Sequence, residues 1–219
     1  MNRQLASKWL KTSVMSQNSY IAQHIPSSRL FNASNLREML SRFGMVVIKP
    51  VRGGGGIGVM KISRHGGAYS CTYMARTITR SSFSGIMEEI NRRRGRRSYL
   101  IQRGIHLATI AGRPIDYRVK YVKENGTWTY RSMVGRLARR GLFVTNLCRG
   151  GEQMTAAQGI RLSLSSKLVG RKKHEMRQLT KASTELLERR FPGIGQLGYD
   201  YGIDRNGHIW ILEVNTRPQ

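Results

Sequence analysis

Three oxygen-bearing side chains near the end of the chain have the types and spacing of a hard-cation site. In GYDYGIDRNGHIWILEVNTRPQ, Asp200 falls on one strand of a hairpin, and Glu213 and Asn215 fall on the other. A turn at Asn206-Gly207 returns Glu213 to about the level of Asp200, and Glu213 and Asn215, two apart, share a face. Two carboxylates and an amide oxygen suit Mg²⁺ or Mn²⁺, ions that also hold phosphate oxygens. The flanks Ile209, Trp210, Ile211, Leu212 and Val214 place the strand in an interior, where an acid requires a partner or a cation. A salt bridge to an arginine is the competing explanation.

A second stretch, Met45 to Lys61, reads MVVIKPVRGGGGIGVMK. A β-branched run ends in Lys49-Pro50, four glycines follow from Gly53 to Gly56, and Ile57-Gly58-Val59 leads back into strand-like sequence. Four glycines in a row cost more backbone entropy than a turn needs, and suit N–H groups presented to an anion. With Lys49 at the entrance, the stretch resembles a flap closing over a polyphosphate; a flexible hairpin tip is the alternative. No Gly-Lys-Ser/Thr follows, which excludes a P-loop, and Val59-Met60-Lys61-Ile62 reads as strand, which excludes a dinucleotide fingerprint.

The elements that must position these residues are legible in outline. A basic amphipathic helix is expected from residue 3 to about 17, with Leu5, Trp9, Leu10 and Val14 on one side and Lys8 and Lys11 on or beside it. A second helix carries Leu36, Met39, Leu40 and Phe43, with Ser34/Asn35 as N-cap and Gly44 as stop. Tyr69 to Ile78 reads as a strand, Ser84 caps a helix through Ile86, Met87 and Ile90, and Arg92-Arg93-Arg94-Gly95-Arg96-Arg97 is its exposed, dipole-complementing end. Tyr99 to Ile105 is a short buried strand. From Asp116 the period is two: Asp116, Arg118 and Lys120 on one face, Tyr117, Val119 and Tyr121 on the other, as on a central strand lining a polar cleft or an ordinary half-exposed one. Asn125-Gly126 turns into a strand from Trp128 to Leu137. Residues 139 to 153 form a polar loop around Asn146, Arg149, Gly150 and Gly151. A helix from about Arg171 to Arg190 precedes strands at Leu197–Ile203 and His208–Val214. No internal repeat or disordered tail is apparent.

The chain has 219 residues, 39% hydrophobic, enough for one substantial core or two lobes. Its formal charge of +26 implies an acidic partner: nucleic acid, nucleotide, anionic polymer or anionic surface. Cys71 and Cys148 are too few for a disulfide framework and are read as reduced thiols. No run reaches the ~18 apolar residues of a membrane span, and the N-terminus lacks a signal-peptide core, so a cytoplasmic location is expected.

In order, K-P-x-x-G-G-G-G-x-G-V, D-x-R, N-L-x-R-G-G and D-x(12)-E-V-N-T-x-P resemble the ATP-grasp superfamily. The Asp-to-Glu spacing and E-x-N-T-x-P ending are similar to D-alanine–D-alanine ligases, and the D-x-R and N-L-x-R-G-G elements to ribosomal-protein glutamate ligases. S-K-W-L-K near the N-terminus, Y-L-I-Q-x-G-I and G-R-P-x-D-x-R-V most resemble the YheC/YheD endospore-coat-associated group, over nearly the whole chain. The resemblance implies an α+β ATP-grasp fold, two lobes with antiparallel sheets gripping Mg·ATP. It implies a single ATP-grasp-like domain over 1–219: a helical lead-in over 1–44, a glycine-flap lobe over about 45–105, and a metal and substrate lobe over about 106–219. By the same resemblance Lys49 and Lys8 contact the ATP phosphates, and Gly53, Gly54, Gly55, Gly56 and Gly58 form the flap. Gln102, Arg103, Gly104 and Ile105 are the hinge that reads adenine through its backbone, and Asp200, Glu213 and Asn215 hold Mg²⁺ or Mn²⁺. Arg118, with Arg136 or Arg139 and Arg149, stabilises charge on the phosphoryl and the substrate acid, with Asn146 orienting them.

Three departures stand out. The similarity begins almost at Met1, without the N-terminal substrate domain many such ligases carry. Arg103 stands where a glutamate often contacts the ribose, and Arg217 replaces a small residue of the ligase ending. The expected activity is a carboxylate–amine ligase working through an acyl-phosphate, its acid and amine unidentified, in the cytoplasm or at the spore coat. The alternative is a non-catalytic ATP-binding protein that the +26 charge docks to an anionic polymer or spore-coat protein. A plain nucleic-acid binder would leave Asp200, Glu213 and Asn215 unexplained, and the basic stretches lack interleaved aromatics for stacking.

Overall fold

The computed structural model describes residues 4–216. The expected start of the first helix at Arg3, and Arg217 and Pro218 of the closing motif, lie outside the described residues. The chain divides into two compact units. One contains the segment up to Ile25, His106–Arg140 and everything from Val144 onward; the other is Pro26–Ile105 with Gly141–Phe143. The residues expected as a helical lead-in are therefore shared, those up to Ile25 falling in one unit and those from Pro26 in the other.

The first helix is shorter than the sequence predicts. α1 spans Lys8–Met15, capped by the Ser7 side chain, which accepts from Leu10 N–H, and a four-residue α2 (Ser19–Ala22) follows a turn. Its inward side carries Lys8, Lys11, Val14 and Met15, while Leu10 is exposed. The expected apolar side is thus rotated, and two lysines are buried instead, because this helix packs next to an acid-bearing strand described below.

In the Pro26–Ile105 unit, β1 (Ser28–Leu30) leads to α3 (Ala33–Phe43), whose N-cap is Asn32 and not Ser34 or Asn35, and whose stop is Gly44 at φ 69°. β2 (Met45–Pro50) and β3 (Met60–His65) flank the glycine loop. The stretch read as one strand, Tyr69 to Ile78, is two: β4 (Ala68–Tyr73) and β5 (Arg76–Arg80), turned at Met74 with φ 55°. α4 (Phe83–Arg94) is capped by Ser82, two residues before the expected Ser84, and β6 (Tyr99–Arg103) completes an antiparallel sheet in the order β1-β6-β2-β3-β4-β5. Leu36, Met39 and Leu40 of α3 and Ile86 and Ile90 of α4 form one core with Val46, Ile48, Met60, Ile62 and Cys71. Burial pushes the Cys71 thiol up to about 11, so it is a packing residue, whereas Cys148 is exposed.

The remainder builds the other sheet. β7 (Thr109–Ile110) pairs with β8 (Arg113–Glu124), which turns through Asn125-Gly126 into β9 (Thr127–Leu137). The loop that follows is less irregular than expected: a 3₁₀ turn at Leu147–Arg149 and β10 (Glu152–Thr155) precede α5 (Ala156–Ser163), a helix not expected from the sequence. α6 (Val169–Arg190) then leads to β11 (Gln196–Ile203) and β12 (Ile209–Asn215). Strand order is β10-β9-β8-β11-β12, so the period-two strand β8 is central.

Alternation sorts the two faces of this sheet. Tyr117, Val119, Leu197, Tyr199, Tyr201 and Ile203 join Met176, Leu179 and Leu187 of α6 in the core. Two hydroxyls of α6 are built into that contact: Thr180 Oγ1 lies 2.8 Å from the Tyr201 hydroxyl and Thr184 Oγ1 2.8 Å from that of Tyr199. All four residues are essentially inaccessible to solvent. Replacing Thr184 with valine strands the Tyr199 hydroxyl without a partner, at a cost of about 1–3 kcal/mol. Denaturant unfolding of Thr184→Val should show this loss, and adding Tyr199→Phe should recover part of it. A loss of the same size from both backgrounds would show that the hydroxyl pair is not the cause.

Candidate functional site

The other face of the same sheet is polar, and a one-residue irregularity organises it. Three pairs starting at the hairpin are regular: Ile203 with Ile209, Gly202 with Trp210, Tyr201 with Ile211. Continued, that register would set Asp200 opposite Leu212 and send Glu213 to the tyrosine face. A β-bulge between Asp200 and Tyr201 shifts the register, so that Asp200 faces Glu213, Tyr199 faces Val214 and Gly198 faces Asn215. Directly opposed residues share a face, so the extra residue turns Glu213 and Asn215 to the side of Asp200 while Val214 stays in the core. Leu212 remains on the polar side, since its methyls lie 3.2 and 3.4 Å from where a Cβ on Gly202 would be. The hairpin is fixed by Asp204, whose carboxylate accepts from the N–H groups of Asn206 and His208 and from Trp210 Nε1.

β8 and β9 supply the opposing charges. β8 sets Arg118 opposite Asp200 and Asp116 opposite Gly202, while on its other edge Asp116 faces Arg136. Arg118 grips both oxygens of Asp200, its Nη2 at 3.0 Å from Oδ2. Arg136 donates Nε at 2.8 Å and Nη2 at 2.5 Å to the two oxygens of Asp116, and the same Nη2 lies 2.9 Å from Asp200 Oδ1. Asp116, Asp200 and Arg136 are all buried. Burial pushes the Asp200 carboxyl up, but Arg136 and Arg118 outweigh it and hold the group below the usual carboxylate range. Burial dominates at Asp116 and, with the Asp200 charge, raises it against the pull of Arg136.

A second bulge, between Lys120 and Tyr121, sets the register of β9: Lys120 faces Ser132, but Tyr121 faces Tyr130. It lets Tyr130 pack against Tyr121 while Val134 and Arg136 serve the polar face. Of the two arginines offered by the sequence, Arg136 is therefore the one at the carboxylates. Arg139 is exposed and lies across Gly150, its Cδ 3.1 Å from where a Cβ would sit. Asn146 and Arg149 are half-buried in the 3₁₀ turn, where Arg149 N–H donates to Asn146 O at 2.9 Å. Gly151 fits only as glycine, with Thr145 O and Leu137 O at 2.8 and 3.0 Å from a would-be Cβ.

The buried lysines of α1 reach the same strand. Lys8 Nζ is 3.2 Å from Glu213 Oε1, and Lys11 Nζ donates to Leu5 O at 2.6 Å. Sequence reading placed Lys11 beside an apolar face without a role. Its signal was there, an i,i+3 lysine pair on the turn that meets an acidic strand. Among the described residues no three His, Cys, Asp or Glu side chains converge, so a cation on this sheet would rest on Asp200, Glu213 and the Asn215 amide. These donors suit Mg²⁺ in kind; Asp200 Oδ1 already meets both Arg118 and Arg136, and Oδ2, met by Arg118 Nη2, is the oxygen with a further lone pair for a cation.

The Pro26–Ile105 unit holds the other expected residues. Lys49 is buried at the end of β2 and its Nζ donates to Gln102 Oε1 at 2.8 Å. Arg103 N–H donates to Ser27 O and Gly104 N–H to Met45 O, so backbone readout by residues 102–105 would fall to carbonyls and to the Ile105 N–H. Gly53, Gly55, Gly56 and Gly58 all have positive φ. Gly58 is also confined, with the Tyr99 hydroxyl 2.6 Å from a would-be Cβ, whereas Gly54 has nothing within 4 Å. Close packing thus explains Gly58, whereas Gly53 and Gly54 are exposed and Gly54 O accepts from Ile57 N–H at 3.2 Å.

Comparison with known proteins gives a consistent answer. The family model described as "YheC/D like ATP-grasp" matches residues 1–219. The endospore coat-associated protein YheD of Bacillus subtilis (strain 168) is 28% identical over 225 residues, covering 99% of this chain and 49% of the relative. YheC of the same organism is 24% identical over 230 residues, covering 100% and 61%. The chain thus spans about half to three-fifths of the length of these relatives. Among solved structures, N5-carboxyaminoimidazole synthase from Aspergillus clavatus, solved with ADP, matches with a TM-score of 0.60 at 11% identity, over 99% of this chain and 46% of that one. D-alanyl-alanine synthetase A from Vibrio cholerae matches at 0.53 and 15%, over 95% and 57%. These likenesses show the ATP-grasp fold.

Lys11 yields a pH test of the geometry. Burial, partly offset by Glu213 and reinforced by Lys8, lowers its ammonium to about 8 from 10.5. Between those values the unfolded chain binds more protons than the folded one, so stability must rise with pH through this window and be flat in this term below about 8. The wild type should gain up to about 3 kcal/mol relative to Lys11→Met between pH 8 and 10.5. Parallel unfolding curves for the two proteins across that range would refute the buried placement.

Proposed function

The chain belongs to the YheC/D-like ATP-grasp family, and from that premise we propose that it is an ATP- and Mg²⁺-dependent carboxylate–amine ligase. The observation that carries this reading is the bulged pairing of Asp200 with Glu213, which puts both carboxylates and Asn215 on the face that also holds Arg118 and Arg136. Structural neighbours include proteins named as synthetases and ligases, among them an L-amino acid ligase from Bacillus licheniformis.

In this reading an oxygen of the acid substrate attacks the γ-phosphorus, the bond to the β,γ-bridging oxygen breaks, and ADP leaves. The amine nitrogen then attacks the acyl carbon, loses its proton and expels inorganic phosphate. Mg²⁺ or Mn²⁺ held by Asp200, Glu213 and Asn215 would screen the phosphate charge and align the transferred group. Arg118 and Arg136, already aimed at this face by Asp200 and Asp116, supply guanidinium charge to the phosphoryl oxygens. Arg139, Asn146 and Arg149 are assigned to the substrate acid. Lys49, Lys8 and the backbone of Gly53 to Gly58 are assigned to the nucleotide phosphates, and the segment 102–105 to the base. No side-chain nucleophile is required, in keeping with the exposed Cys148 and the packed Cys71.

The formal charge of +26 favours a second reading, a nucleotide-binding protein that docks to an anionic assembly, as the names of the endospore coat-associated relatives suggest. Turnover separates the two: ADP released in the presence of candidate acids and amines supports the ligase, and its lasting absence supports the scaffold. The site itself is tested by calorimetric titration with a non-hydrolysable ATP analogue and Mg²⁺. Wild type should bind in a metal-dependent manner, and Glu213→Gln about tenfold or more weaker, about 1.4 kcal/mol. Equal binding by both proteins without metal would remove Glu213 from the site.

A further inference from the structure

The outer edge of the Pro26–Ile105 sheet has the chemistry of a peptide-docking site, independent of the nucleotide reading. β5 is the last strand of its sheet and among the described residues pairs with β4 alone, so its other edge has no strand partner there; Arg80 Nη1 donates to Thr79 O at 3.0 Å. Four of its five residues, Arg76, Thr77, Thr79 and Arg80, are exposed, and Ile78 is half-buried. By register, Arg76, Ile78 and Arg80 lie opposite Tyr73, Cys71 and Tyr69, on the face that α4 covers. There Arg76, Thr77 and Ile78 line a hollow of about 570 Å³ with Arg92 and Arg93 of α4. Ile78 and three arginines, Arg76, Arg92 and Arg93, give it its character, while the Thr77 hydroxyl is engaged with that of Thr72 at 2.9 Å.

The rim is held in place from beneath. The buried Glu89 accepts from both Arg92, at 2.5 Å, and Arg93, and the Arg93 guanidinium also lies 5.2 Å from the Tyr73 ring centroid. Arg76 and Arg80 make no ion pair among the described residues. From Arg76 to Arg97 the chain carries seven arginines, two glutamates and no lysine. Guanidinium forks pair carboxylates two bonds at a time, which a lysine ammonium does not.

Charge decides what such an edge can accept. Two copies of β5 meeting edge to edge would bring arginine against arginine, which is repulsive, whereas a strand with acids at every second position brings carboxylates over Arg76, Arg80 and the hollow. Single-stranded nucleic acid would need bare aromatic rings for its bases. The rings of this region are already covered: Tyr73 by Arg93, Phe31 by Arg94, Tyr99 by Arg97 and Phe83 by Arg37. We propose that β5 is a docking edge for an extended acidic polypeptide, which adds to the sheet as a seventh strand and places its carboxylates among Arg76, Arg80, Arg92 and Arg93.

The test uses a labelled eight-residue peptide alternating glutamate and valine, followed by fluorescence anisotropy at physiological salt. Controls are the same peptide N-methylated at alternate residues, a lysine–valine peptide, and a 20-nucleotide oligothymidylate. The glutamate peptide should bind, and both peptide controls should bind at least tenfold more weakly. Binding should slow amide hydrogen exchange across Arg76–Arg80 by about tenfold or more. Arg76→Glu with Arg80→Glu, and the milder Arg76→Gln with Arg80→Gln, should weaken binding in that order while leaving the circular dichroism melt unchanged. No binding by the unmodified chain, equal binding of the N-methylated peptide, or unchanged binding by the double variants overturns the proposal. Tighter binding of the oligothymidylate than of the glutamate peptide does so too, in favour of nucleic acid.

Discussion

One inserted residue in β12 decides which way Glu213 points, and the polar face of its sheet follows from that. Given where the Asp204 turn starts the pairing, strict alternation would send Glu213 to the core and Val214 to the polar face. The bulge at Asp200/Tyr201 resolves the conflict: the hairpin buries Ile209 and Ile211 near the turn, and beyond the bulge it exposes Glu213 and Asn215 to the same side as Asp200. Leu212 keeps the side of the sheet it would have had without the bulge, its methyls against the Gly202 position. The second bulge, in β9, does the same for Arg136 by releasing Tyr130 and Trp128 to the opposite face.

The carboxylates so gathered are each held by a cation from the same unit. Asp200 is held by Arg118 and Arg136, Asp116 by Arg136, and Glu213 by Lys8. Burying such charges costs several kcal/mol per ion unless every lone pair is met, so the arrangement contributes specificity of geometry more than stability. Arg136 illustrates the point. It spans two acids from one buried position, and each acid raises its guanidinium further beyond any accessible pH. A chain of net charge +26 thus keeps this polar face close to locally balanced, and leaves most of its excess arginine at the surface.

Much of this was legible in the residues. The period-two run from Asp116 placed three charges on one face and three core residues on the other, and the Asn125-Gly126 turn, the Gly44 stop and the return of Glu213 to the level of Asp200 all followed from local rules. What was not legible depends on register. Neither bulge leaves a mark in the residue letters, so choosing Arg136 over Arg139 needed the pairing of β9 itself. The caps were missed for a related reason: in NASN and SSFS several residues could cap, and only the packing of α3 and α4 selects Asn32 and Ser82. Lys11 was overlooked because burial of a lysine on an amphipathic helix contradicts the hydropathy rule, and is allowed here by Leu5 O and Glu213.

The two sheets treat their outer strands differently, which bears on where partners can attach. β12 is closed along its outer side by the N-terminal segment: Ile211 N–H donates to His24 O at 2.7 Å and His24 Nδ1 donates to Ile209 O at 2.8 Å. The strand that carries the carboxylates is therefore tied to the segment that carries Lys8 and Lys11, and cannot take an added strand at that level without displacing them. Among the described residues nothing comparable pairs along β5, and arginine charge opposes its self-association. Charge is a selective barrier: it repels a second basic edge and attracts an acidic one. A protein that needed only a closed sheet could have ended it with a proline or covered it with a helix; arginines at both ends of β5 leave the edge closed to copies of itself and open to an acidic strand.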